Sequence, residues 1–200
     1  MDDGKLIIIT GFMAAGKDTV VNKILKISPE YKKVVTHTSR PPRKNEKEGV
    51  DYYFVSKLEF RNMLQKKLML EHVIYETHYK GTHKKEIEVV FDKKNVIWRI
   101  DMERAAIVED LYYEKYDKKT AEGLAKRTTK ILLKPENFGV VLERSKNRDP
   151  ESFDAKRIMQ RLYKEQNIFA KYQHKFPHVV VNKTGKLDFT LKNIQKILGN

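Results

Sequence analysis

The chain has 200 residues, 40% of them hydrophobic and 10% aromatic, with a net charge of +14 and no cysteine. That is enough apolar material for one compact domain with a real core, and the missing cysteines exclude a disulfide framework and any thiolate ligand or nucleophile. No stretch approaches the ~20 apolar residues of a membrane helix, and the basic residues are scattered in pairs such as Lys32–Lys33, Lys66–Lys67 and Lys118–Lys119, which reads as solvated faces of a protein that handles anions, with no nucleic-acid or membrane partner expected.

In chain order, Asp2 and Asp3 precede a short β-branched run, Lys5–Thr10, that is too short for a signal peptide's apolar core. A cytoplasmic protein is expected, and the run itself reads as a buried strand. A turn over Gly11–Gly16 leads into a helix from Lys17 to Ile27. Val34–Thr36 suggests a second strand, Arg40–Gly49 a proline-containing loop, and Tyr52–Val55 a third strand. Ser56 with Glu59 forms a capping box for a helix to about Lys67. Leu70–Thr77 and Tyr79–Gly81 read as strands. Thr82 reads as the cap of a helix to about Lys93, followed by a strand over Asn95–Asp101 and a helix from Glu103 to about Glu114.

Tyr116–Arg127 shows no clear period. Beyond it the pattern predicts a strand over Lys130–Leu133, a helix over 136–145, a charged loop over 146–151, and a long helix over Phe153–Tyr172. A strand over His178–Val181 and a closing helix over Leu187–Leu198 complete the chain. Apolar strands alternating with helices predict an α/β fold, a three-layer sandwich with a mostly parallel central sheet.

Gly11-Phe12-Met13-Ala14-Ala15-Gly16-Lys17-Asp18-Thr19 sits between strand and helix, the context a P-loop requires. Its glycines let backbone wrap phosphate oxygens, the helix start offers unpaired N–H groups, and Lys17 reaches the β- and γ-phosphates. The pattern asks for Ser or Thr where Asp18 stands; a carboxylate is also a hard oxygen ligand, so Asp18 is a candidate for Mg²⁺. Downstream, Arg40, Arg43 and Tyr52 on one proline-stiffened loop would suit a phosphate dianion. The competing readings are a chance glycine turn and an exposed basic loop.

The stretch from Thr36 through Arg40, Arg43, Glu46, Gly49, Asp51 and Tyr52 to Val55 resembles the GMP-binding segment of guanylate kinases. With the P-loop before it and later motifs in matching order, the resemblance covers nearly the whole chain. It implies a P-loop NTPase core (about 1–32, 94–143 and 162–200), an NMP-binding lobe (about 33–93) and a lid (about 144–161). It also implies ATP as phosphoryl donor, Mg²⁺ as cofactor and small nucleotides as partners, with the oligomeric state left open. Arg40, Arg43 and Tyr52 would hold the acceptor phosphate near Thr36, and Glu46 would orient the arginines. Glu71 would read guanine, whose N1–H and amine are adjacent donors, with Thr82 and Asp101 at other base-contacting positions and Lys80 and Gly81 also in the GMP-binding set. Lys17, Arg144, Arg148 and Arg161 would act on the transferring phosphoryl group, and Asn182 would lie near the donor nucleoside. Lys80 stands where the family has a second tyrosine, and Arg99 where it has an acid. Asp18 is expected to compensate for that acid. A kinase acting on a deoxynucleotide or ribose 1,5-bisphosphate, and a non-catalytic binding module, are the alternatives. The segment between Asp101 and Pro135 is longer than in most relatives by about ten residues, and its Tyr112, Tyr113 and Tyr116 are expected to pack on the core.

Overall fold

The computed structural model describes residues 4–75 and 77–199. Asp2, Asp3 and Glu76, on which the signal-peptide reading and the end of one expected strand drew, lie outside the described residues. Within them the chain forms two compact units, one made of the residues up to Leu6 with Tyr31–Trp98 and Val108–Thr128, the other of Ile7–Glu30, Arg99–Ile107 and the residues from Thr129 onward.

The second of these units contains most of β1 (Leu6–Gly11), then α1 (Lys17–Ile27), α4 (Met102–Ala106), β8 (Thr128–Pro135), α7 (Phe138–Arg148), α8 (Ala155–Tyr172), β9 (His178–Asn182) and α9 (Leu187–Leu198). Strands β1, β8 and β9 are neighbours in that order, and β8 pairs parallel with β9. Ile7, Ile8, Ile9, Ile131, Leu132 and Leu133 are all fully buried. Such continuous apolar runs are what strands covered on both faces require. From α1, Val20 and Ile24, one turn apart, join this core, as do Leu162 of α8 and Ile194 of α9.

The other unit contains β2 (Tyr31–Lys33), β3 (Thr36–Thr38), β4 (Tyr52–Phe54), α2 (Lys57–Gln65), β5 (Met69–Tyr75), β6 (His78–His83), α3 (Lys85–Glu88), β7 (Asn95–Trp98), α5 (Val108–Lys115) and α6 (Lys118–Arg127). A four-stranded sheet runs in the order β4-β3-β6-β5, with β3–β4 parallel and the β3–β6 and β5–β6 pairs antiparallel. Strand β2 pairs parallel with β7 instead. Phe60, Leu70, Ile87, Trp98 and Leu124 are buried among these elements.

Several expectations need correction. The expected strand Val34–Thr36 is the crossing between two strands: Tyr31–Lys33 pairs with β7 and Thr36–Thr38 with β4 and β6. Thr82 is not a helix cap. It lies inside β6, fully buried, and its hydroxyl is committed to Glu71 and Trp98, so α3 starts without a side-chain cap at Lys84. The helix expected over 103–114 breaks at Ile107 into α4 and α5. The loop expected over 146–151 begins later, because α7 runs through Arg148 from its Asn137 cap. Tyr116–Arg127 becomes helix α6, capped by Asp117, which accepts the Thr120 N–H at 3.1 Å. Its apolar face is only Ala121 and Leu124, too small a stripe to show a period. Of the three tyrosines between Asp101 and Pro135 expected on the core, Tyr112 in α5 is fully buried and Tyr116 half-buried, whereas Tyr113 is largely exposed. The capping box at Ser56 is present in both halves.

Candidate active site

The turn between β1 and α1 is shaped by close approach. Gly11 (φ 137°) runs so near the Leu133 carbonyl that a Cβ would overlap it, and Gly16 (φ 87°) abuts the Asn182 side chain. Neither conformation nor space admits a larger residue. Ala14 also sits in the left-handed region at φ 50°, a strained position for a residue with a Cβ. Strain of this kind persists only where the surroundings impose it, and here they do. Asn182 Nδ2 donates to Ala15 O at 2.9 Å while Asn182 Oδ1 accepts from Thr190 at 3.0 Å. Arg144 donates to Ala14 O at 3.1 Å and to Thr184 Oγ1 at 3.1 Å.

Lys17 folds back over this turn, donating to Gly11 O at 2.9 Å and Phe12 O at 2.7 Å. Burial pushes its ammonium down to about 8, and the neighbouring Arg99 charge pushes the same way. Glu165 and Asp18 act against that shift. Glu165 escaped the sequence reading: its Oε2 accepts the Met13 N–H at 2.7 Å, and its Oε1 the Arg161 Nε–H at 3.2 Å. The only signal for it is an Arg–Glu pair four apart on the helix, which also occurs on plain surfaces.

A cavity of about 380 Å³ opens over the turn, lined by Lys17, Asp18 and Thr19 together with Arg99, Arg144, Arg148 and Arg161. Four arginines and a lysine converge with Asp18 as the acid among the described lining residues. The chemistry this suits is the binding of a polyanion. Asp18 is itself in contact with Arg99, Nε to Oδ1 at 2.7 Å. Among the described residues no group of three or more acids and histidines could cage a metal ion. Mg²⁺ on a phosphorylated ligand asks for less than a cage, one or two carboxylates with phosphate oxygens and water, so Asp18 and the Thr19 hydroxyl fit it in kind. Asp101 also lies in this unit, as the cap of α4, where its Oδ1 accepts the Arg104 N–H at 2.9 Å.

The other unit carries the second constellation. Arg40 makes a bidentate pair with Glu46, both contacts at 2.6 Å, and Glu46 also accepts the Arg43 N–H at 2.9 Å. The Arg40 hydrogen bond holds the Glu46 carboxyl down at about 2. The Arg40 guanidinium stands 5.0 Å over the Tyr52 ring, and Lys80 Nζ stands 5.2 Å from the same ring. Thr36, opposite Tyr52 in the β3–β4 pairing, is buried beside them, while the Arg43 side chain is exposed. Further along the sheet, Thr82 donates to Glu71 Oε1 at 2.6 Å and accepts from the buried Trp98 Nε1 at 3.0 Å. A carboxylate is thereby held on a rigid strand by a hydroxyl whose own orientation is fixed. Gly81 is a buried neighbour that leaves no room for a Cβ beside the Glu71 carbonyl.

The guanylate kinase family model matches residues 3–200. The chain belongs to the guanylate kinase family. It is 31% identical over 186 residues to the guanylate kinase of Malacoplasma penetrans, covering 92% of this chain and 87% of that one. It is 29% identical over 194 residues to the chloroplastic/mitochondrial guanylate kinase 2 of Oryza sativa subsp. japonica, covering 96% of this chain but 63% of the rice protein. The chain therefore spans less than two thirds of that relative's length. Among solved structures, guanylate kinase from Anaplasma phagocytophilum superposes with a TM-score of 0.66 at 23% identity, over 100% of this chain and 86% of that one. The fold is thus α/β with a mostly parallel central sheet, of the P-loop kinase kind.

Proposed function

We propose that this chain transfers the terminal phosphoryl group of ATP to GMP, giving ADP and GDP. The observation that carries the choice of acceptor is Glu71. It is a buried carboxylate aimed by Thr82 and Trp98, and it can accept the adjacent N1–H and amine donors of guanine, a pair that adenine lacks. Arg40, Arg43 and Tyr52 supply a fork and a hydroxyl for the nucleotide's phosphate, with Thr36, Lys80 and Gly81 around it and Glu46 holding Arg40 in place. Asp101, the cap of α4, is proposed as an acceptor residue on the family resemblance alone.

On the donor side, the amides at the start of α1 and the Lys17 ammonium cradle the β- and γ-phosphates, the Met13 N–H being committed to Glu165. An acceptor phosphate oxygen attacks the γ-phosphorus as the bond to the β,γ-bridging oxygen breaks, and ADP leaves with that oxygen. The attacking dianion is already deprotonated near neutral pH, its second pKa being about 6, so no general base is needed. The remaining task is positioning and charge stabilisation. Lys17, Arg144, Arg148 and Arg161 perform it, with Arg144 tied to the Ala14 carbonyl of the loop and Arg148 and Arg161 more exposed. Asn182 acts on the donor through the loop that it ties down. Asp18, with the Thr19 hydroxyl beside it, would hold Mg²⁺, whose chemistry would be to neutralise phosphate charge.

A second reading is favoured by Lys80, a point charge with less directional control than a hydroxyl: a kinase of the same family acting on a deoxynucleotide or ribose 1,5-bisphosphate. A non-catalytic module has less support, since Lys17 is in place. No described helix is long and apolar enough to cross a membrane; a cytoplasmic setting is part of the proposal. ADP release from Mg²⁺–ATP, measured against GMP, dGMP, AMP, UMP, CMP and ribose 1,5-bisphosphate, tests it. GMP or dGMP should be the fastest acceptor; a faster rate with any other would overturn the acceptor while keeping the kinase.

A further inference from the structure

The residue after the cradle's lysine is an acid, and the residue facing that acid is an arginine. Arg99 Nε lies 2.7 Å from Asp18 Oδ1, yet that Nε–H, shielded from water, makes no well-directed hydrogen bond. Charge rather than geometry holds the pair. The two partners are unequally held: the Asp18 side chain is 66% exposed and that of Arg99 is 29% exposed. Asp18 can therefore turn to water or a cation at little cost, while Arg99 stays beside the cavity. Arg99 is also close enough to Lys17 for its charge to depress that ammonium.

Lys17, Arg99, Arg144, Arg148 and Arg161 all line one cavity. Like charges so crowded repel one another until an anion of several charges arrives, and they then favour it. A guanidinium fork matches two phosphate oxygens better than the misaligned single contact that Asp18 provides. We propose that Arg99 binds the donor's triphosphate directly, with Asp18 as its counter-charge while the cradle is empty, so that ATP is held substantially without a divalent cation. This rests on the reading of the cradle as an ATP site, and it makes Arg99 a binding residue at a position where the family pattern has an acid.

Calorimetric titration of the full chain with ATP, in EDTA and in excess Mg²⁺ at one ionic strength, tests the proposal. The wild type should bind ATP in EDTA with a Kd within about tenfold of its Mg²⁺ value. Arg99→Met should weaken the EDTA binding by about tenfold or more, the order expected when a charged hydrogen-bond donor is lost, and the Mg²⁺ binding by clearly less. Arg99→Lys should recover part of the loss. Asp18→Ser should tighten binding in EDTA. A Kd for Arg99→Met in EDTA within twofold of wild type, or an equal loss in both buffers, would overturn the proposal. Should Arg99→Met fail to fold, Asp18→Ser decides alone: tighter EDTA binding supports the proposal and unchanged or weaker binding contradicts it. If the wild type binds no ATP in either buffer, the kinase reading fails as well; normal ATP binding that ignores Arg99 removes only the role of Arg99.

Discussion

The two constellations manage charge in opposite ways. Around the phosphate loop, two of the cations are held by backbone, Lys17 on the Gly11 and Phe12 carbonyls and Arg144 on that of Ala14, while Arg99 faces Asp18 and Arg161 faces Glu165. Carbonyls orient a cation without neutralising it, so the positive charge stays available and Lys17 feels its neighbours. On the four-stranded sheet, charges are matched by side chains. Arg40 is paired with Glu46, which is driven down to about 2 as a result, while further guanidinium N–H donors remain for a ligand, and Glu71 is aimed by a neutral hydroxyl. The lesson is that the first constellation is poised for charge and the second for shape. Substitutions in the first should therefore affect the rate and binding of any donor, and those in the second should affect which acceptor is used.

The largest effect to break that contrast is expected from Lys17→Met. It should lower kcat for phosphoryl transfer by on the order of 10²–10³, the scale for losing one preorganised charge at a transition state, with every acceptor affected alike in a steady-state assay. Next, Glu71→Ala should lower kcat/KM for GMP by on the order of a hundredfold while leaving the Kd for ATP within about twofold, since the lost contact belongs to one base alone. An equal loss with all acceptors would show that Glu71 supports the fold rather than reads the base. Third, Arg40→Lys should raise KM for the acceptor by roughly tenfold, because a point charge cannot keep the bidentate Glu46 pair and present a directed donor to phosphate at the same time.

The smallest effects are in pH. Lys17 has a folded pKa near 8, below its ordinary 10.5, so in the free chain its charge is complete below about pH 7 and lost as pH rises through 8. Affinity for ATP should fall severalfold between pH 7 and 9. Arg99 depresses Lys17, so Arg99→Met should move that limb upward. Glu46 is depressed in the folded chain, so its pairing stabilises fully above about pH 4.5 and is lost as pH falls towards 2; the melting temperature of an Arg40→Met variant should differ least from wild type at the acid end.

What the sequence showed and what it hid follow from range. The loop 11–19, the capping box at Ser56 and the long helix ending at Tyr172 are local patterns, and all were legible. The supports of the site come from far along the chain. Glu165 on Met13, Arg99 on Asp18 and Asn182 on Ala15 join residues separated by 81 positions or more, and no spacing rule announces such a meeting. Thr82 shows the converse: it looked like a local cap, but a buried partner on another strand claimed its hydroxyl. The Asp18 carboxylate, expected to make up for the missing acid at position 99, lies 2.7 Å from the arginine that stands at that position, another long-range meeting that no local pattern announces.

The most direct test is product analysis. Mg²⁺–ATP and GMP are incubated with the wild-type chain and with Lys17→Met prepared in parallel, and nucleotides are separated by chromatography. The account predicts GDP and ADP appearing in equal amounts with the wild type and nearly none with the variant. ADP without GDP, or a Lys17→Met variant as fast as wild type, would contradict it.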